Sequence, residues 1–291
     1  MIQNLKSFLF VPGDNPERIA KAAHTRADAV IIDLEDGVTA AAKPAARAGL
    51  PQARKILDQA GKFAIVRINA ENGAFVADLE SVLACRFDAI MVPKADAPEN
   101  LQRVTHTITE HPGSKAATQP GLIALIESAR GVLAAAEIAT LPEVTALALG
   151  TEDFSLTMGA PPTPDLLDLP VRQVALAARA YQKAALALPL SIADFRDADR
   201  FLAAARKAAA LGCTGALCIH PSQLGPVNTA FGPSDAEVAE ADAIMNAWAT
   251  AQSQGMAITK LDGRMIDAPV VSRAQGILRR AGRSSQVEDF E

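Results

Sequence analysis

The chain has 291 residues, with 33 acidic against 28 basic side chains for a formal net charge of -5, and 49% of its residues are hydrophobic. That balance supplies ample core and excludes nucleic acid as an expected partner, because binding to phosphate backbones is carried mainly by Lys and Arg. Cys85, Cys213 and Cys218 are odd in number and lack metal-type spacing, no uncharged apolar stretch is long enough to span a bilayer, and Met1-Ile-Gln-Asn-Leu-Lys6 is not a signal leader, so the expectation is a cytoplasmic protein with neither a disulfide framework nor a membrane partner.

Strand and helix signals alternate along the chain. An apolar run over 7–11 ends at Pro12-Gly13, and Asn15-Pro16-Glu17 then supplies an N-cap, a proline at the first helical position and an early acid for a helix to about Thr25. A strand is expected over 29–34, an alanine-rich helix over 43–60 closed by Gly61, and a strand over 63–68. Helices over 75–83, 98–109 and 131–139 are each followed by a strand, over 89–92, 122–126 and 144–149. Beyond the proline-rich loop 159–164 the pattern predicts a helix over 170–186, a weaker strand over 188–193, a helix over 197–211 and an eighth strand over 216–219.

Eight strands alternating with helices suit an α/β fold of the (β/α)8 TIM-barrel kind, since right-handed crossovers set successive strands side by side until eight close the ring. The competing open, doubly wound sheet predicts a glycine-rich phosphate turn after the first strand, and Pro12-Gly13-Asp14-Asn15 is not one. The barrel is expected to occupy 1–253. Residues 254–291, with an Asp262-Gly263 turn and a last helix to about Ala281, read as a C-terminal arm plus helix.

Charge collects where several apolar runs emerge: Asp33, Glu35 and Asp36 after the second, Arg67 at the end of the third, Lys94 after the fourth, Glu127 after the fifth and Asp153 after the sixth. In a barrel these positions share the active face. Glu127 and Asp153, one strand apart, are candidate ligands of a divalent cation or, alternatively, surface and cap acids of the following helices. Glu35 and Asp36 are candidates for holding water or substrate beside such a cation, and Arg67 for holding a carboxylate or a thioester oxygen or for pairing with Asp33 or Glu35. His220 before Pro221 reads as a hydrogen-bonding structural residue more readily than as a base. No His-Glu-x-x-His, Gly-x-Ser-x-Gly or Walker pattern occurs, so metalloprotease, serine hydrolase and P-loop readings have no support.

Eight segments, Phe10-Val-Pro-Gly13, Asp33-Leu-Glu-Asp-Gly-Val38 with Lys43-Pro-Ala-Ala-Arg47, Val66-Arg-Ile-Asn69, Val92-Pro-Lys94, Ile126-Glu-Ser-Ala-Arg-Gly131, Gly150-Thr-Glu-Asp153, Cys218-Ile-His-Pro-Ser-Gln223 and Gly263-Arg-Met-Ile-Asp-Ala-Pro269, together resemble the citrate lyase beta subunit and its stand-alone relatives, acyl-CoA carbon–carbon lyases of the HpcH/HpaI aldolase superfamily. The resemblance implies a TIM barrel, usually a homotrimer, that uses Mg2+ to break or make the bond between an acyl-CoA α-carbon and the carbonyl carbon of an oxo acid. The expected substrates are a citryl-, malyl- or citramalyl-CoA type thioester, with acetyl-CoA and an oxo acid as products. It also implies that Asp267 reaches the active site of a neighbouring subunit as acid or base; without it, Asp267 reads as a cap before Pro269. Phe10 and Pro12 are expected to wall the site, and Arg18, Lys21, Lys43 and Arg47 to meet CoA phosphates unless they form a solvated face. The chain departs from relatives at Pro189, where an aspartate is frequent, and at Lys6, where arginine is common. Other readings are the condensing synthase or thioesterase direction at the same site, a Schiff-base aldolase through Lys94, and a subunit that binds CoA or an acyl carrier without turnover.

Overall fold

The computed structural model describes residues 2–70, 72–111 and 119–283, and the chain divides between Phe231 and Gly232 into two compact units. In the first unit parallel strands β1 (Ser7–Pro12), β2 (Ala29–Asp33), β3 (Phe63–Arg67), β4 (Ala89–Val92), β5 (Gly121–Ile126), β6 (Val144–Leu149), β7 (Ala184–Leu186) and β8 (Ala216–Cys218) form one sheet in the order β7-β6-β5-β4-β3-β2-β1-β8. The ends of that order meet through a single bridge, Leu186 to Gly215, and through Thr214 N–H donating to Ala185 O at 2.8 Å. The result is the (β/α)8 barrel that the alternation predicts.

Helices α1 (Pro16–Ala23), α2 (Lys43–Gln59), α3 (Asn72–Cys85), α4 (Pro98–Glu110), α5 (Ala129–Ala139), α6 (Thr151–Met158), α7 (Pro164–Ala180), α8 (Ala198–Ala210) and α9 (Leu224–Phe231) surround the ring. Alternation along each strand sorts side chains into two cores. Phe8, Ile31, Ile65, Met91, Ile123, Leu125 and Leu217 fill the lumen, and Ile2 packs with them. Val30, Ile32, Val66, Ile90, Ala124 and Leu147 face outward against helix residues such as Leu50, Leu57, Leu101, Val171 and Phe201. Because the strands are buried on both faces their interior positions are apolar, with Thr145 of β6 the exception among the described residues, which is why they read as continuous apolar runs.

The inward phase decides the site. On β2 it runs Ala29, Ile31, Asp33, on β3 Ile65, Arg67, and on β5 Ile123, Leu125, with Glu127 next beyond the strand end. The last layer at the C-terminal mouth is therefore charged.

Four segments differ from the sequence expectation. The helix expected over 170–186 lies instead at Pro164–Ala180, because Thr163 caps it by accepting from Leu166 N–H with Pro164 in the first turn, and Pro170 is carried inside it. The strand expected over 188–193 is three residues at Ala184–Leu186, since Gln182, at φ 56°, stops the helix early, and 187–193 runs on as the loop above β7. Residues 151–158 and 224–231 form α6 and α9, neither of them expected.

The second unit pairs α10 (Asp235–Ser253) with α11 (Ala268–Arg280) across a hairpin of β9 (Thr259–Leu261) and β10 (Arg264–Ile266), turned by Asp262-Gly263. Met245 and Trp248 of α10 share a core with Ile266, Val271 and Leu278, so this helix belongs with the arm and not with the barrel as 1–253 supposed. Among the described residues no helix is long and apolar enough to cross a membrane.

Candidate active site

Arg67 is the hub of the mouth. Its Nε donates to Asp33 Oδ1 at 2.8 Å and its Nη2 to Asp33 Oδ2 at 2.6 Å, a bidentate pair with both side chains nearly out of solvent. Nη1 lies 3.1 Å from Glu35 Oε2 and 3.6 Å from Asp36 Oδ2, and the guanidinium sits 5.0 Å above the ring of Phe10. Burial works against its charge, but Asp33, Glu35 and Asp36 outweigh that and raise its pKa above the ordinary range. The ion pair with Asp33 thus exists together with a guanidinium end turned toward the mouth.

Asp33 also shapes the loop that follows β2. Its Oδ1 accepts from Glu35 N–H at 2.9 Å and its Oδ2 from Gly37 N–H at 2.8 Å. A Cβ on Gly37 would lie 2.4 Å from that Oδ2, so the turn requires glycine. The loop delivers Glu35 into the mouth, 5% exposed, and leaves Asp36 outside. Burial raises the Glu35 pKa, opposed by Arg67 and Lys94 and assisted by Asp36. Its Oε2 is buried without a hydrogen-bond partner among the described residues, and its Oε1 is 3.4 Å from Lys94 Nζ.

Glu127 lies opposite. Its Oε2 accepts from the backbone N–H of Lys94 at 2.8 Å, and Lys94 directs that N–H by holding φ at 53°, a left-handed conformation for a residue with a Cβ. Burial pushes the Glu127 carboxyl up to about 8; the Lys94 N–H and Arg67 oppose this, and the charges of Glu35 and Asp153 add to it. Gly150 at the end of β6 allows the packing, since a Cβ there would lie 2.7 Å from Glu127 Cγ and 3.0 Å from Oε1. Asp153 stands exposed in the first turn of α6, near enough for its charge to be felt at Glu127, and Thr157 of that helix donates to Glu127 O at 3.3 Å.

These donors fit a hard divalent cation. They are carboxylate oxygens, one of them buried and pushed toward neutrality, with Glu35 in the same mouth, its Oε2 ion-paired with Arg67. Among the described residues no three His, Cys, Asp or Glu side chains form a ready cage; a hard cation such as Mg2+ takes one or two protein carboxylates and fills the rest of its shell with water and substrate.

The other expected residues are more scattered. Pro12 ends β1, half-buried beyond Phe10, and Arg18 is exposed on α1, where Asn15 caps its backbone N–H. Lys43 and Arg47 open α2 beside a cleft of about 580 Å3 that is also lined by Pro44, Asn69 and Gly73. Arg47 is committed to a buried carboxylate, with Nη1 donating to Asp78 Oδ1 at 2.9 Å, and Lys43 donates to Asn69 Oδ1. Lys94 Nζ is half-exposed, so burial does not supply the dry pocket an imine-forming lysine needs. His220 is a cap: its Nδ1 accepts from Ser222 N–H, and its ring stacks on Phe195 with centroids 4.6 Å apart. Asp267 caps α11 by accepting from Val270 N–H at 3.2 Å, within the second unit.

Two groups escaped the sequence reading. Glu152 Oε1 accepts from Ser191 Oγ at 2.7 Å, tying α6 to the loop above β7. Asp78, with no exposed surface, accepts from both the backbone and side-chain N–H of Asn69. The signal for Asp78 was its place on the buried stripe Phe75, Leu79, Val82, where an acid needs internal partners.

A family model described as HpcH/HpaI aldolase/citrate lyase matches residues 6–221. The citrate lyase subunit beta-like protein of Deinococcus radiodurans is 36% identical over 94% of this chain and 96% of its own length. The L-malyl-CoA/beta-methylmalyl-CoA lyase of Cereibacter sphaeroides is 33% identical over 94% of this chain and 93% of its own. Among solved structures, CitE from Mycobacterium tuberculosis in complex with magnesium, acetoacetate and coenzyme A superposes with a TM-score of 0.76 at 33% identity, over 97% of this chain and 100% of that one.

Proposed function

This chain belongs to the HpcH/HpaI aldolase/citrate lyase family, and we propose that it is a magnesium-dependent carbon–carbon lyase that splits a 3-hydroxyacyl-CoA of the citryl-, malyl- or citramalyl-CoA type into acetyl-CoA and an oxo acid. The observation that carries the reading is the facing arrangement of Arg67, anchored by Asp33, and Glu127, raised to about 8 with Asp153 beside it. It brings a fixed positive group and a cation-binding pair to one mouth. The lyase and CoA names among the relatives and neighbours support the substrate class.

The cleavage passes a hydroxyl proton to water in the mouth, turns that carbon into a carbonyl as the carbon–carbon bond breaks and leaves an enolate on the departing acetyl thioester, so negative charge develops at two oxygens. Glu127 and Asp153 hold Mg2+, which when bound supplies a positive centre for the hydroxy or oxo acid. Arg67 uses the end bearing Nη1 to take the thioester oxygen as it becomes enolate, while the bidentate Asp33 keeps the guanidinium from turning away. Glu35 and Asp36 balance that charge and accept from water in the mouth. Phe10 and Pro12 wall the pocket. Asp267, in the role that the resemblance implies, returns a proton to the acetyl carbon from a neighbouring subunit of a homotrimer. Lys43 stands at the α2 cleft for the CoA side of the substrate, with Arg47 also in its lining, and Arg18, exposed on α1, is a further candidate for its phosphates.

The test is a cleavage screen of the purified protein against hydroxyacyl-CoA esters, read by release of the oxo acid. EDTA abolishes the activity and Mg2+ restores it, whereas borohydride with substrate leaves it intact. Activity that survives EDTA and is lost to borohydride would instead support imine chemistry at Lys94. Sedimentation equilibrium checks the trimer.

A further inference from the structure

We infer that Asp78 is a positioning residue that acts through Asn69 to pin the Lys43 ammonium at the mouth of the α2 cleft. Within Asn69 the amide has two candidate orientations, and its neighbours decide between them. Nδ2 lies 2.8 Å from Leu34 O and 2.6 Å from Asp78 Oδ2. A backbone carbonyl and a carboxylate are both acceptors, so the NH2 face turns to them and Oδ1 must face the other way. There it accepts from Lys43 Nζ. The alternative rotamer would set oxygen against two acceptors and leave Lys43 opposite an NH2 group.

Asp78 is itself over-determined. It accepts the Asn69 backbone N–H at 2.8 Å and Arg47 Nη1 at 2.9 Å, so its charge is buried but compensated and its position is set from α2 and from the loop after β3. Arg47 therefore spends its charge on Asp78, and Lys43 is the cation at the cleft whose placement this network fixes. Through Leu34 O the same amide is joined to the loop that carries Glu35. That the pinned ammonium serves a thioester phosphate rests on the functional reading above; that it is pinned does not.

Two variants test this. Asp78→Asn keeps the shape and removes the all-acceptor environment. Asn69→Ala leaves Asp78 paired with Arg47 and with the residue 69 backbone, so it stays informative if the first variant does not fold. Brief acetic anhydride labelling, read by mass spectrometry with exposed Lys21 and Lys55 as internal references, should modify Lys43 severalfold faster in both variants than in the wild type. Affinity for CoA, measured by calorimetry, should fall about tenfold, as it should in Lys43→Met, with Asn69→Ala adding nothing in the double variant. Unchanged Lys43 labelling in folded Asn69→Ala overturns the inference. Faster labelling with CoA affinity unmoved supports the pinning and counts against the thioester reading of the cleft.

Discussion

Loading of the metal site should be coupled to a proton in a window where ordinary carboxylates are silent. Glu127 is raised to about 8, first by burial, so in the metal-free protein about one molecule in ten carries it ionised at pH 7 and about one in a hundred at pH 6. A cation that needs the carboxylate must displace that proton, so the apparent Mg2+ affinity should weaken about tenfold per unit below pH 8, roughly 1.4 kcal/mol each, and flatten above it. Isothermal calorimetry at pH 6, 7, 8 and 9, in buffers of different ionisation enthalpy, reads both the affinity and about one proton released per ion below pH 8. The same shift has a stability consequence with a definite sign. The folded value lies above the ordinary glutamate value of 4.5, so the native state holds the proton that the unfolded chain has lost. Glu127 therefore contributes stability fully present below about 4.5 and lost as pH rises through about 8. Metal-free protein should melt lower at pH 8 than at pH 6, and Glu127→Gln should remove that slope. An Mg2+ affinity that changes less than about threefold between pH 6 and pH 8 would refute the reasoning, because it would mean the carboxylate is already ionised.

Asp33→Asn should strand a buried guanidinium, costing about 3–5 kcal/mol of stability by chemical denaturation and at least about a hundredfold in kcat. Gly150→Ala should push Glu127 aside and weaken Mg2+ binding at least about tenfold by calorimetry with the fold retained by circular dichroism, since the new methyl meets Cγ at 2.7 Å. Lys94→Gly keeps the N–H and relieves the left-handed strain, so Mg2+ affinity should hold, whereas Lys94→Pro removes the donor and should weaken it about ten- to a hundredfold.

The barrel could be read from the chain because strands buried on both faces are almost wholly apolar, and the charged layer at its mouth because the inward phase of β2 and β3 ends on Asp33 and Arg67 and Glu127 follows β5. Strand β7 was hidden for the opposite reason. Ala184-Ala185-Leu186 has the composition of the helix just before it, and only the capping geometry at Thr163 and the left-handed Gln182 separate the two. The pairing of Asp33 with Arg67 was among the alternatives open from sequence, and Nη1, the arginine nitrogen that Asp33 does not hold, lies against Glu35 and Asp36. Asp78 was announced only by its place on a buried helical stripe, which does not name its partners, and the clasp of Glu152 on Ser191 was invisible, because the two lie on elements distant in sequence.

The join between β7 and β8 is thin: one bridge at Leu186 and Gly215 with a few backbone hydrogen bonds about it, where other neighbours share ladders of three or more partners. What laces it lies higher, where Gln223 Nε2 reaches Ile192 O at 2.7 Å, Ser222 Oγ reaches Phe195 O at 3.0 Å and the imidazole of His220 leans on the Phe195 ring. Side chains on the rim thus add to the hoop strength of that flank, and loosening them would let the cylinder gape beside its own opening while the opposite wall keeps its shape.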